Sequence, residues 1–171
     1  MSATYHRNII QGTEEWLMLR CGVITASEIK TILTPSGKPA SNDKARAYIW
    51  QKASERITGF LEPVFETRDM LRGHDDEGFA KHEYSRHFEP VSDCGFITAE
   101  FIGGLTIGYS PDGLVGNAGL IECKSRKPKY QIQTLLDYQQ SKEIPAEFMA
   151  QIQTGLLVTG REWCDFISYS G

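Results

Sequence analysis

The sequence predicts a mixed α/β fold. Capped helical stretches fill the chain as far as about residue 88, and short apolar stretches broken by glycine turns follow between 91 and 124, with another at 163–169. A helical pattern at 145–158 stands between those last strand groups and argues against an all-β arrangement.

Taken in order, residues 13–21 read as a short helix, with Trp16 and Arg20 at i and i+4 on one face and Gly22 ending it. A second short helix follows, with Thr25 or Ser27 as N-cap and Glu28 in its first turn. Residues 34–43 are a loop whose last residues, 41–43, can cap a helix. In that helix Ala45, Tyr48, Ile49, Ala53 and Ile57 recur at helical spacing, and Gly59 closes it. Residues 60–67 connect onward to one long helix over 68–88, interrupted by Gly73 and Gly78. Strands are expected at 91–101, 105–109, 120–124 and 163–169, with glycine turns at 103–104 and 116–119. Helices are expected at 130–138 and 145–158, the second opened by Pro145 and followed by Gly160. No repeat or linker divides the chain, so a single domain over 1–171 around one sheet is expected.

Composition narrows the class. With 40% hydrophobic and 23% charged residues, the chain reads as an ordinary globular protein. No apolar run approaches the ~20 residues of a membrane span, and the first seven residues lead into no signal region. The four cysteines are scattered without a Cys-x-x-Cys pair, which fits reduced thiols in a cytoplasmic protein rather than a zinc ribbon. A net charge of −4 does not suggest a general nucleic-acid binder. Residues 124–130, Lys-Ser-Arg-Lys-Pro-Lys-Tyr, are nevertheless a local run of cations without an acid, suited to a phosphate backbone; a solvated basic loop is the plainer alternative, above all for Lys127 and Lys129.

The stretch from Gly108 to Lys124 carries the chemistry. Asp112 follows Pro111, and Gly116-Asn117 can turn the chain back, so that Glu122, Cys123 and Lys124 return beside Asp112. Strand alternation puts Glu122 and Lys124 on one face, roughly 7 Å apart, and Cys123 on the other, toward a core. Two carboxylates and an ammonium suit Mg²⁺, a hard cation that prefers oxygen ligands and keeps room for water and a phosphodiester. Such an ion lowers the pKa of water and offsets charge on the phosphate. Lys124 can orient the attacking water, or help deprotonate it if burial lowers its own pKa. The Cys123 carbonyl is a further candidate oxygen. A surface hairpin with an ordinary Glu/Lys pair is the plainer alternative.

Two further constellations stand out. Glu77 shares a helix face with Gly73, Ala80 and Tyr84 and can point inward, toward a partner that a metal could supply; the plainer alternative puts Asp75, Asp76, Glu77 and Glu83 together on a solvated face. Asp75, Asp76 and Glu83 are expected to face water, as are His74, His82 and His87. Arg20, with Trp16 beside it and Ser27 at a helix start, suits a terminal phosphate. The competing reading places Trp16 in the core and Arg20 in a surface ion pair.

Together these residues resemble the phage lambda exonuclease family, the YqaJ-type viral recombinase group of the PD-(D/E)xK nucleases. The likeness lies in four ordered blocks: Glu15-Trp-Leu-Met-Leu-Arg-Cys-Gly-Val-Ile-Thr-Ala-Ser-Glu28, Arg72-Gly-His-Asp-Asp-Glu77, Ser110-Pro-Asp-Gly-Leu114 with Leu120-Ile-Glu-Cys-Lys124, and Phe148-Met-Ala-Gln-Ile-Gln153 with Val158-Thr159. The resemblance implies a restriction-endonuclease-like core, a central mixed sheet flanked by helices. It also implies Mg²⁺-dependent 5′-to-3′ digestion of duplex DNA ends, with Mn²⁺ able to substitute, a homotrimeric ring, and a single-strand annealing protein as partner in recombination. By the same likeness Asp112 and Glu122 are metal carboxylates, the Cys123 carbonyl a metal ligand, Lys124 the motif lysine and Glu77 a helix acid near the metal. Gln151 helps hold the site, Arg20, Ser27 and Ser110 form a 5′-phosphate pocket, and Trp16 is an aromatic near the point where the strands part. Cys123 stands where family members usually carry an aliphatic residue, which a role for its carbonyl tolerates. Family members also carry a strand and terminal helix beyond the position of Tyr169, so the domain is expected to be without those elements. Within the same superfamily an endonuclease or junction resolvase is the alternative. A catalytically inactive DNA-end binding or recombination-adaptor module, and a nuclease specific for RNA, are further alternatives.

Overall fold

The structure, a computed structural model, describes residues 2–63 and 67–171. In chain order the elements are β1 (Ala3–His6), α1 (Glu14–Arg20), β2 (Ile24–Thr25), a 3-10 helix (Ala26–Thr31), α2 (Asp43–Thr58), α3 (Arg68–His87), β3 (Val91–Ser92), β4 (Phe96–Phe101), β5 (Leu105–Tyr109), β6 (Gly113–Val115), β7 (Gly119–Ser125), α4 (Pro128–Ser141), α5 (Ala146–Thr159) and β8 (Trp163–Tyr169). Of the connection expected at 60–67, residues 64–66 lie outside the described residues. The mixed α/β class holds, with helices flanking mixed sheets. The strands divide into two four-stranded sheets rather than one. Pro111 lies between β5 and β6 and has no N–H to carry a ladder onward. The chain forms two compact units, one of Met1–Pro63, Cys94–Ser110 and Ala150–Gly160, the other of Val64–Asp93, Pro111–Met149 and Arg161–Gly171.

The first unit holds the sheet β1-β4-β5-β2, antiparallel except for the parallel pairing of β2 with β5. Strand β1 is absent from the sequence expectation, because four residues near the start of the sequence give too short a pattern to read; backbone pairing with β4, Ala3 opposite Ala99 through His6 opposite Phe96, holds it. Thr13 caps α1, accepting from the Trp16 amide at 3.3 Å, and Asn42 caps α2, accepting from the Ala45 amide at 2.9 Å. On α2 the buried positions are Ala45, Tyr48 and Glu55, whereas Ile49 and Ile57 are 51% and 85% exposed. A polar residue therefore sets the inner face that apolar spacing had assigned partly to isoleucines.

Glu55 is 3% exposed and is the anchor of that face. Its Oε2 accepts from the Gly22 amide at 2.8 Å, Gln51 donates to its Oε1 at 2.9 Å, and Lys52 stands 3.1 Å from Oε2. Gly22 has φ +69° and packs against the Arg56 side chain, so a larger residue would be both strained and crowded. Burial pushes the Glu55 carboxyl upward, but the Gly22 amide, Lys52 and Gln51 together hold it below the usual carboxylate value. Glu55 thus stabilises the fold fully above its unfolded pKa of about 4.3, and that contribution disappears as pH falls through the lower folded value. Glu55→Ala should cost about 2–4 kcal/mol in urea denaturation near neutral pH, because it strands a buried amide and a lysine. A loss below about 0.5 kcal/mol, the size of an ordinary surface change, would contradict this account.

The second unit holds the sheet β3-β6-β7-β8, antiparallel except for β7 with β8. Helix α3 runs unbroken through Gly73 and Gly78. It packs on β7 through an apolar cluster of Ala80, Tyr84, Val115, Ile121 and Cys123, with Val91, Ile167 and Tyr169 against it. Tyr84 also donates to Asp165 Oδ2 at 2.6 Å, tying the helix to β8.

Candidate active site

The β6–β7 hairpin builds the centre of the second unit. Gly113 lies opposite Ile121, Leu114 opposite Leu120 and Val115 opposite Gly119. Asp112 therefore arrives beside the 122–124 segment, and its Oδ2 accepts from the Cys123 amide at 2.6 Å. Alternation along β7 gives Cys123 to the apolar cluster with α3 and puts Glu122 and Lys124 on the other face. Glu122 is 0% exposed, and Lys124 Nζ donates to its Oε1. The Phe148 ring lies 5.5 Å from Lys124 Nζ and stacks on Phe166, the residue opposite Glu122 on β8.

Electrostatics show how these groups feel one another. Burial, then the Glu122 carboxylate, then Glu77, push Asp112 well above the usual carboxylate range; Lys124 and the Cys123 amide pull it back without prevailing. Burial works to lower Lys124, yet Glu122 and Asp112 outweigh it and hold the ammonium above its usual value. Without a bound cation, burial alone therefore does not bring Lys124 toward a base, because its two carboxylate neighbours favour the ammonium. Burial and the Asp112 charge likewise push the Cys123 thiol upward, so it is an inert core group.

Glu77 is half-buried on α3 and accepts from Lys81 Nζ at 3.2 Å; the same ammonium stands 2.9 Å from Asp93. Asp76 corrects another expectation. It is 6% exposed rather than solvated, and its Oδ2 accepts from Ser125 Oγ at 2.5 Å. Four-residue spacing from Asp76 through Ala80 to Tyr84 is the signal that could have found it.

Among the described residues no three His, Cys, Asp or Glu side chains gather as a ready metal cage. The residues present still fit a hard divalent cation. Asp112 and Glu122 offer oxygens only, and Mg²⁺ sites commonly rest on one or two carboxylates. Burial above all, and then the negative charge of Glu122 and Glu77, raises Asp112, an excess of charge in a desolvated place that Lys124 and the Cys123 amide do not offset. A dication relieves that excess.

A separate cluster lies in the first unit. Trp16 Nε1 donates to Ser110 Oγ at 2.9 Å and to the Gly95 carbonyl at 3.1 Å. Arg20 Nη1 donates to the same Ser110 Oγ at 3.2 Å, and its guanidinium lies 4.2 Å from the Trp16 ring centroid. Burial lowers the Arg20 pKa, against the raising influence of Glu28, Tyr48 and Glu55. Among the described residues no carboxylate stands within ion-pair distance of Arg20, so the surface-ion-pair reading does not hold. Ser27 is exposed in the first turn of the 3-10 helix, with its Oγ 3.3 Å from Thr25 Oγ1. Gln151 is half-buried on α5 in the first unit.

Among the described residues no helix is long and apolar enough to cross a membrane. The YqaJ-like viral recombinase domain family matches residues 15–162. The chain is similar to an alkaline exonuclease (LHK-Exo) from Laribacter hongkongensis, with 33% identity and a TM-score of 0.70, over 92% of this chain and 74% of that one. The structure of LHK-Exo in complex with dAMP matches with 33% identity and a TM-score of 0.68, over 91% and 73%. A phage related exonuclease from Haemophilus somnus 129PT shares the fold at a TM-score of 0.56 and 15% identity, over 85% and 68%. No match is found among curated protein sequences.

Proposed function

The chain belongs to the YqaJ-like viral recombinase domain family, and on that premise we propose that it is a Mg²⁺-dependent 5′-to-3′ exonuclease on double-stranded DNA ends. It releases 5′-mononucleotides and leaves 3′ single-stranded tails for phage-type homologous recombination. The observation that carries this reading is the hairpin on which Asp112, Glu122 and Lys124 share one charge cluster. The likeness to an alkaline exonuclease at 33% identity supports it.

Asp112, Glu122 and the Cys123 carbonyl hold the Mg²⁺, with Glu77 acting at one remove through its Lys81 contact and its charge on Asp112. Mg²⁺ bound there supplies Lewis-acid relief of the charge that develops on the scissile phosphate. Mn²⁺ shares the preference for oxygen ligands and substitutes for it. Lys124 remains an ammonium, so it orients the attacking water by donating to it and adds fixed positive charge beside the phosphate. Phe148 and Phe166 keep that side of the lysine apolar. Gln151 and Ser27 enter this reading through the family resemblance alone, as do the homotrimeric ring and the single-strand annealing partner.

Arg20, stacked on Trp16 and aimed with it at Ser110 Oγ, is the anion pocket for the 5′ phosphate of the DNA end. Arg20→Ala should lower the preference for phosphorylated over hydroxyl ends by about 10–100-fold, the worth of a charge-assisted hydrogen bond. Initial rates on the two kinds of end measure it, and an unchanged ratio removes Arg20 from the pocket. Arg20→Lys should recover only part of the preference, because an ammonium lacks the planar fork.

The test of the whole reading is a Mg²⁺-dependent time course on linear 5′-phosphorylated duplex beside a covalently closed circle. Loss of the linear DNA with mononucleotide release and an intact circle is expected. Nicking of the circle would make the protein an endonuclease, and no digestion of either would make it a binding module.

A further inference from the structure

Asp76 is a buried carboxylate that no step of the proposed reaction uses. Its Oδ2 accepts from Ser125 Oγ at 2.5 Å. The same hydroxyl accepts from Arg72 Nε at 3.1 Å, and Arg72 Nε stands 3.8 Å from Asp76 Oδ2. Ser125 thus donates once and accepts once, and closes a three-residue clasp between the first turns of α3 and the end of β7. Each end of the clasp is the chain neighbour of a functional residue: Asp76 precedes Glu77, and Ser125 follows Lys124.

An apolar cluster of Ala80, Tyr84, Ile121 and Cys123, with Val115 of β6, also joins α3 to β7. Apolar burial holds the helix on the strand but has no direction. A charge-assisted hydrogen bond does have direction, and it fixes the helix rotation and its height along the strand. Rotation matters here because each end of the clasp is one residue from a charged group of the site, Glu77 on the helix and Lys124 on the strand. A turn of α3 about its axis would carry Glu77 away from the carboxylates on the hairpin.

We propose that Asp76, acting through Ser125 and Arg72, is a positioning residue that sets where Glu77 stands against Asp112, Glu122 and Lys124, and so sets how tightly the site holds a divalent ion. The inference rests on the nuclease reading for the location of that ion. The effect should be that of other outer residues around a metal, about 10–100-fold in affinity.

The experiment follows Mg²⁺ in two ways. One is the Mg²⁺ concentration that gives half of the metal-induced rise in Tm without DNA; the other is the concentration that gives half-maximal digestion of linear duplex. Ser125→Ala keeps every charge and should move both midpoints upward by about tenfold or more, while the rate at saturating Mg²⁺ changes by less than about threefold. Ser125→Thr keeps the hydroxyl and should restore the midpoints. Should Ser125→Ala fail to fold, Asp76→Asn, which keeps size and an acceptor, should shift the thermal midpoint in the same direction. Unchanged midpoints in a folded variant overturn the proposal, and so does a wild type that Mg²⁺ does not stabilise. A wild type stabilised by Mg²⁺ that digests no DNA sinks the nuclease reading instead, and the thermal midpoints still decide for or against the clasp.

Discussion

Replacing Lys124 by alanine is expected to abolish Mg²⁺-dependent digestion, lowering the rate by at least about 10³-fold, or roughly 4 kcal/mol of transition-state stabilisation. The size follows from where the charge sits. Lys124 is the cation paired with Glu122, a fully buried carboxylate, and together with the Cys123 amide it pulls Asp112 downward against three raising influences. Removing it leaves several negative charges to face an anionic phosphodiester with one cation fewer. Lys124→Arg tests whether charge alone suffices. A guanidinium cannot occupy the place of a compact ammonium between Glu122 and Phe148, so a loss of about 10²-fold or more is expected there too. Near-normal digestion by folded Lys124→Ala, checked by circular dichroism, would remove the residue from the reaction.

The hairpin was legible because its signals are local. Strand alternation fixes which of residues 122–124 share a face, and Gly116-Asn117 fixes the turn, so both survive whatever packs around them. The helix acids were less legible. A buried helix stripe is wide enough to admit adjacent positions, and Glu77 and Asp76 both fall on it; spacing to Gly73, Ala80 and Tyr84 selected Glu77, whereas Ser125, which settles Asp76, arrives from 49 residues away. Apolar counting failed on α2 for a related reason. Glu55 occupies the inner face because Gly22, Gln51 and Lys52 satisfy it, and no periodicity of apolar residues announces a satisfied carboxylate. Arg20 meets Ser110 across 90 residues of sequence, so spacing could place Arg20 beside Trp16 but could not find the hydroxyl they share. The break between the two sheets was written in Pro111, a residue read as part of a motif rather than as the end of a ladder.

Asp112→Asn is expected to act with opposite signs on activity and stability. Digestion should fall by at least about 10³-fold, because the amide gives the cation a neutral oxygen in place of a charge. The metal-free protein should instead become more stable. Burial, Glu122 and Glu77 raise the folded-state pKa of Asp112 above the unfolded value of about 3.9. A carboxyl raised in this way binds more protons in the folded state. Its stabilising contribution is complete below the unfolded pKa and is lost as pH rises through the folded one. In EDTA the wild type should therefore lose stability across that window, and the variant should not. The asparagine Oδ1 can still accept from the Cys123 amide, so the hairpin contact survives the exchange. At about pH 8 in EDTA the gain should be on the order of 1–3 kcal/mol, the scale of a buried charge left uncompensated, or about 2–4 °C in Tm per kcal/mol at this chain length. Added Mg²⁺ should reverse the order, raising the wild-type Tm while leaving the variant nearly unmoved. A variant less stable than wild type in EDTA would mean that Asp112 serves the fold rather than the ion.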